Sequence, residues 1–145
     1  MKKIFRNICI ASDHAGFDMK EKIKDYLMVK NIPLIDLGPL CEDSVDYPDY
    51  AKKVAKRLIL LKSDVGILVC GSGTGMAITA NKFKGIRAAQ CYNKSSTLLS
   101  RQHNNSNIIC LGSRMLKYKD AFKYVTYFLN TKFEGGRHQK RINKI

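Results

Sequence analysis

The stretch Val65-Gly66-Ile67-Leu68-Val69-Cys70 constrains the fold more than any other part of this chain. It is a continuous apolar run of strand length with no polar alternation, so it reads as a strand buried on both faces. It ends at a cysteine and breaks into Gly71-Ser72-Gly73-Thr74-Gly75, after which Met76-Ala77-Ile78-Thr79-Ala80-Asn81-Lys82 reads as a helix. A strand of this kind needs helices layered on each side of its sheet. Glycines in the loop permit positive φ and close ligand approach, and the helix start offers unpaired N–H groups to an anion.

The rest of the chain repeats the same unit. Asn7 to Ser12 reads as a first strand, and Met19, Ile23, Tyr26 and Leu27 recur at helical spacing up to Lys30. Ile32 to Leu37 is a second short strand closed by Gly38-Pro39, placed at an edge because of its proline. An acidic loop, Glu42 to Asp46, precedes a helix that starts near Pro48 and shows Ala51, Val54, Ala55 and Leu58 on one face. Ile86 to Cys91 is strand-like, Ser95 to Gln102 helical, and Asn107 to Leu111 strand-like again, closed by Gly112. A last long helix carries Ala121, Val125, Phe128 and Leu129 on one stripe and stops before Glu134-Gly135-Gly136. Five β-α units in a row predict an α/β fold with a five-stranded parallel sheet covered on both faces. The 145 residues fit one domain spanning 1–145.

In such folds ligands lie at the carboxyl ends of strands, in a crevice where strand order reverses. Three polar clusters are expected there: Ser12-Asp13-His14 after the first strand, Cys70 to Gly75 after the third, and Gln102-His103-Asn104-Asn105 just before the fifth. They converge if the first and third strands are neighbours.

The chain carries 26 Lys and Arg against 12 Asp and Glu, a formal charge of +14. Between Asp64 and Asp120 there is no acidic residue, yet that interval holds the glycine loop and eight basic residues, among them Arg87, Arg101 and Arg114. This predicts a positive field around the loop and an anionic ligand. No zinc-finger, recognition-helix or RNP pattern accompanies the charge, which argues against a nucleic-acid partner. Most of the excess lysine reads as solvated surface. The spacing GxGxG is not the dinucleotide fingerprint, and no Gly-Lys-Ser/Thr triplet makes a P-loop. A small phosphorylated metabolite fits better. Arg137 and Arg141 lie four apart and could grip one phosphate on a helical turn, the alternative being a frayed basic tail.

Five cysteines form neither a CxxC pair nor metal-like spacing, and their odd number leaves a thiol over in any disulfide scheme. They read as reduced thiols, with Cys9, Cys91 and Cys110 as small buried hydrophobes. Residues 1–7 lack an apolar stretch of leader length, and no segment is of membrane length. A cytoplasmic location, no membrane partner, no cofactor and no metal are expected.

Taken together, Ala11-Ser12-Asp13-His14-Ala15-Gly16, Asp46-Tyr47-Pro48, Cys70 through Lys82, Arg101-Gln102-His103-Asn104, Leu111-Gly112-Ser113-Arg114 and the pair Arg137 and Arg141 resemble ribose-5-phosphate isomerase type B across essentially the whole chain. The wider family includes galactose-6-phosphate isomerase subunits and allose-6-phosphate isomerases. The resemblance implies a Rossmann-like three-layer α/β/α sandwich, a homodimer with active sites shared across its interface, and no metal requirement. In the family the counterparts of His103 and of some phosphate-binding residues come from the neighbouring subunit; whether dimers pair into tetramers, and which protomer supplies which residue here, is left open by the sequence.

The resemblance also implies an aldose-ketose isomerisation of ribose 5-phosphate and ribulose 5-phosphate through an enediolate. His103 inherits ring opening, with Asp13 and Ser72 placed for sugar hydroxyls. Some family members carry a glutamate just after the last loop glycine, where this chain has Met76, and others use a cysteine at the position of Cys70. Cys70 is therefore the expected base, and a helix start with nearby positive charge favours its thiolate. On thiol chemistry alone it could equally be a buried strand-end residue. Backbone N–H groups of Gly71, Ser72, Gly73, Thr74 and Gly75 suit the enediolate oxygen. His14, Arg114, Arg137 and Arg141 are expected on the phosphate, with segment 135–145 completing that site. His138 reads as a phosphate or sugar contact, Asn104 as another, and Tyr47 as a pocket wall or a locally packed helix-start aromatic. An aldohexose-6-phosphate (allose or galactose) isomerase is the alternative within the same chemistry. Outside it stands a non-catalytic sugar-phosphate or nucleic-acid binding module.

Overall fold

A computed structural model of the chain describes Phe5 and residues 7–145. The N-terminal stretch read above for leader character therefore lies mostly outside the described residues. The elements alternate as β1 (Ile8–Ser12), α1 (Phe17–Val29), β2 (Leu34–Asp36), α2 (Tyr47–Ile59), β3 (Val65–Cys70), α3 (Thr74–Ala80), β4 (Ala88–Gln90), α4 (Lys94–Gln102), β5 (Ile108–Gly112), α5 (Tyr118–Asn130) and α6 (Arg137–Ile142). Among the described residues no helix is long and apolar enough to cross a membrane.

The strands form one parallel sheet in the order β2-β1-β3-β5-β4. Every residue of β1, β3 and β5 is buried, which explains their continuous apolar composition. Alternate side chains feed two cores. Ile8, Ile10, Val65, Ile67, Val69, Ile109 and Leu111 meet α1 and α5 through Met19, Ile23, Leu27, Val125 and Phe128. Cys9, Ala11, Leu68, Cys70, Ile108 and Cys110 meet α2 and α3 through Ala51, Val54, Ala55, Leu58, Met76 and Ala80. The result is the expected three-layer α/β/α sandwich.

The edge strands β2 and β4 are shorter than their hydrophobic patterns predict. Among the described residues each has a hydrogen-bonding partner on one side only, so pairing stops sooner. Pro33 falls just outside β2, consistent with its lost donor. At the same edge Lys20 of α1 is fully buried. Its Nζ donates to Asp36 at 2.7 Å and to the Pro39 carbonyl at 2.8 Å, tying the first helix to β2 and the loop beyond. Removing one partner from such a buried pair typically costs about 3–5 kcal/mol.

Candidate active site

Strand order reverses between β1 and β3. Ser12 pairs with Val69 in register, so the segments that leave these two strands emerge side by side. They bound a cleft of about 390 Å³ lined by Asp13, Tyr47, Cys70, Gly71, Ser72, Gly75, Arg114 and Met115. This is the crevice the topology predicts.

Cys70 ends β3 on the α2/α3 face and is 4% exposed. The Gly73 N–H donates to its Sγ at 3.1 Å, which ties the sulfur to the glycine loop. Gly73 reaches that position with φ +81°, and a Cβ there would sit 3.1 Å from the Leu111 carbonyl carbon, so glycine is required. The Thr74 N–H turns to Ser72 Oγ at 3.3 Å. Two loop amides are thus used inside the loop, which narrows the expected oxyanion site to the amides of Gly71, Ser72 and Gly75. Met76 is fully buried in the α2/α3 core, so no acid follows the last loop glycine directly.

Asp13 is nearly buried, and its Oδ1 accepts from the Gly16 N–H at 2.9 Å at the start of α1. It therefore holds the turn that leads into α1 and lines the cleft at once. The Tyr47 ring lies so close over Gly75 that a Cβ there would be 2.6 Å from it, which makes the ring a cleft wall. Arg114 lies against Gly71 in the same manner. His14 sits outside the lining, with its Nδ1 3.2 Å from the backbone of Val45. Thr74 is also outside, because its Oγ1 accepts from Gln90 Nε2 at 2.9 Å. Gln90 donates to the Ser72 carbonyl at 2.8 Å as well and so clamps the glycine loop from the end of β4. Sequence reasoning overlooks Gln90 and Met115. A polar residue next to the end of a predicted strand is the available signal for the first, and adjacency to Arg114 for the second.

His103 does not join this cleft. It closes α4, which runs back along the sheet, so it stands at the amino end of β5 while Cys70 stands at the carboxyl end of β3. The expectation that all three polar clusters share one crevice is corrected: in a parallel sheet, a segment leading into one strand lies at the opposite end from a segment leaving another. The basic tail is at that opposite end too. It is helical, and His138 is buried with its ring stacked on His103 at 4.1 Å between centroids and 13° between planes. A second cleft of about 240 Å³ is lined by His103, Asn104, His138 and Arg141, with Ile142 and Ile145. Arg137 is exposed at the start of α6. Burial, then the neighbouring His103 and Arg137, push the His138 imidazole below its ordinary range against the opposing pull of Glu134.

Glu134 sits with its carboxylate 3.5 Å from His138 Nε2. The ligand atoms of His103, Glu134 and His138 all lie within 4.8 Å of one another. The fold brings His103 to Glu134 and His138, a pair four residues apart, and so assembles a cluster of possible ligands.

The loop that bears His103 and Asn104 is anchored by Arg101, 4% exposed. Its Nε donates to the Thr131 carbonyl at 3.1 Å and its Nη1 to Asn105 Oδ1 at 3.0 Å, while its guanidinium stacks near Phe5 and Phe128. Burial, with Arg87 nearby, pushes it down to about 10. Arg87 belongs to the same end, donating to the Asn105 carbonyl. Of the three arginines in the acid-free interval only Arg114 faces the glycine loop, because an interval of sequence winds through both ends of the sheet. All five cysteines are free, and Cys9, Cys91 and Cys110 are buried as expected.

The model of the ribose/galactose isomerase family matches residues 8–145. A crystal structure of ribose 5-phosphate isomerase from Thermotoga maritima is 51% identical, with a TM-score of 0.93 and 95% of each chain covered. The structure of ribose-5-phosphate isomerase B from Mycoplasma genitalium with bound ribulose-5-phosphate is 46% identical, with a TM-score of 0.90 over 95% of this chain and 92% of that one. Ribose-5-phosphate isomerase B of Escherichia coli is 41% identical over 140 residues, 97% of this chain and 94% of its own. With a parallel sheet whose reversal point holds Cys70 and its glycine loop, and with matches that run almost end to end, this chain belongs to the ribose/galactose isomerase family.

Proposed function

We propose that this protein interconverts ribose 5-phosphate and ribulose 5-phosphate, with the Cys70 thiolate as base and His103 as the acid/base that opens the sugar ring. The observation that carries the reading is the Cys70 sulfur at the strand-order reversal, held by the Gly73 N–H beside Asp13, Ser72 and Arg114. A relative 46% identical holds ribulose-5-phosphate, which supports the same substrate class here.

Each step uses a group at hand. His103 moves a proton between the anomeric hydroxyl and the ring oxygen, an exchange suited to an imidazole near neutral pH. The Cys70 thiolate removes the proton from C2, and the electron pair moves to the carbonyl oxygen to give the enediolate. The amides of Gly71, Ser72 and Gly75 stabilise that oxygen. The thiol returns its proton to C1 while a proton passes between the two hydroxyl oxygens, so an aldehyde at C1 becomes a ketone at C2 with no net gain or loss. Asp13, Asn104 and Tyr47 orient the sugar, and Arg114, His14, Arg137 and Arg141 hold the phosphate, remote from the reacting carbons.

One chain carries Cys70 and His103 in two clefts that share no lining residue. A complete site therefore takes the Cys70 cleft of one protomer and the His103 cleft of its partner, in a homodimer of the cytoplasm. The C-terminal segment 135–145 completes the phosphate site in that arrangement. The test is turnover of purified protein with ribose 5-phosphate, allose 6-phosphate and galactose 6-phosphate side by side. The pentose phosphate is expected to give the highest kcat/KM; a higher value for either hexose phosphate reassigns the substrate, and no turnover of any of the three overturns the activity.

A further inference from the structure

We infer that His103, Glu134 and His138 bind a divalent transition ion, Zn²⁺ by ligand preference, and that the ion arrests the isomerase by occupying His103. Two imidazoles and one carboxylate are a donor set that zinc takes in open sites. Their ligand atoms already lie within 4.8 Å of one another. Tetrahedral bonds of about 2.0–2.1 Å require separations of roughly 3.3 Å, so the ligands must draw in by about 1.5 Å. His138 is buried and serves as the fixed member. Glu134 has an exposed side chain, 3.5 Å from His138 Nε2, on a backbone pinned to the His103 loop by its N–H donating to the Gln102 carbonyl at 3.1 Å. The half-buried His103 ring supplies the remaining movement, a rotation out of its stack. The fourth position opens into the cleft of about 240 Å³, where water or chloride can complete the shell.

Arg137 and Arg141 oppose a cation at this place, and both are exposed and screened by solvent. The Glu134 carboxylate offsets them. The balance points to micromolar binding rather than the tighter affinity of closed structural zinc sites. Zinc here acts on the proposed reaction as an inhibitor and supplies no step of it. The inhibitory half of the inference rests on the role proposed for His103; the binding half does not.

Cobalt(II), a visible stand-in for zinc, is titrated into the Cys70→Ala protein, which removes the thiol of the other cleft, and into Cys70→Ala carrying Glu134→Gln, so that binding at the exposed Cys41 is common to both. One ion per chain with visible ligand-field absorption is expected, together with binding weaker by roughly tenfold or more when Glu134 is replaced. Zn²⁺ is then added to the isomerase assay. The unmodified enzyme should lose turnover and recover it on chelation. Glu134→Gln should keep its zinc-free turnover and resist roughly tenfold more zinc. Loss of all ion binding in Cys70→Ala, or equal binding with Glu134→Gln, overturns the site. Binding as expected with undiminished turnover in zinc overturns the inhibitory role alone. Absence of turnover before any zinc is added counts against the proposed reaction and leaves the binding result to stand.

Discussion

The role proposed for Cys70 draws on three directions. Its strand delivers it to the crevice, the Gly73 N–H donates to its sulfur, and Met76 is buried where a competing carboxylate could stand. Cys110, on the same face of the neighbouring strand, shows the contrast: it is fully buried and its thiol is pushed well up by that burial. We expect Cys70→Ala to lower kcat by roughly a thousandfold or more while leaving sugar-phosphate binding and assembly intact. Steady-state kinetics, calorimetric binding and gel filtration check this, and near-normal turnover would remove the thiol as base. The residue itself was legible in the sequence, since a cysteine closing an apolar run before GxGxG is visible there. Its hydrogen bond was not, because a φ of +81° at Gly73 is a property of the folded loop.

Among the elements, the five strands and the first five helices were readable from their patterns, short ones included, and the last helix was not. The tail after Gly135-Gly136 had a frayed segment as its alternative reading, yet it forms α6. Six residues are too few to be helical by propensity alone, and burial of His138 against His103 supplies what propensity lacks. The junction of α4 and α5 rests similarly on Arg101, which bridges the His103 loop to the end of α5. Arg101→Met keeps the apolar contacts with Phe5 and Phe128 and deletes the hydrogen bonds. Misplacing His103 and Asn104 in this way should lower kcat by roughly 10- to 100-fold, measured beside melting temperature. The unmodified kcat in a protein of unchanged stability would assign Arg101 to packing only.

At the scale of the molecule, the two clefts stand at opposite ends of one parallel sheet, and a two-fold symmetric dimer is the economical way to bring them together. Such an interface is self-complementary, so each protomer would give Cys70 to one site and His103 to the other. Cys70→Ala and His103→Ala chains, each inactive alone, should therefore recover about a quarter of normal activity after co-refolding, because half the dimers are mixed and each mixed dimer has one intact site. No recovery would place both residues in a site built within one protomer. The sequence by itself determined the α/β class, the buried central strands, the edge position of β2 and the family, since these arise from local patterns of apolar, glycine and charged residues. Only the tertiary structure decided that β1 lies beside β3, that His103 stands apart from Cys70, and that His103, Glu134 and His138 converge. Those relations depend on strand order and on which end of the sheet a connection reaches, and neither is written in the spacing of residues along the chain.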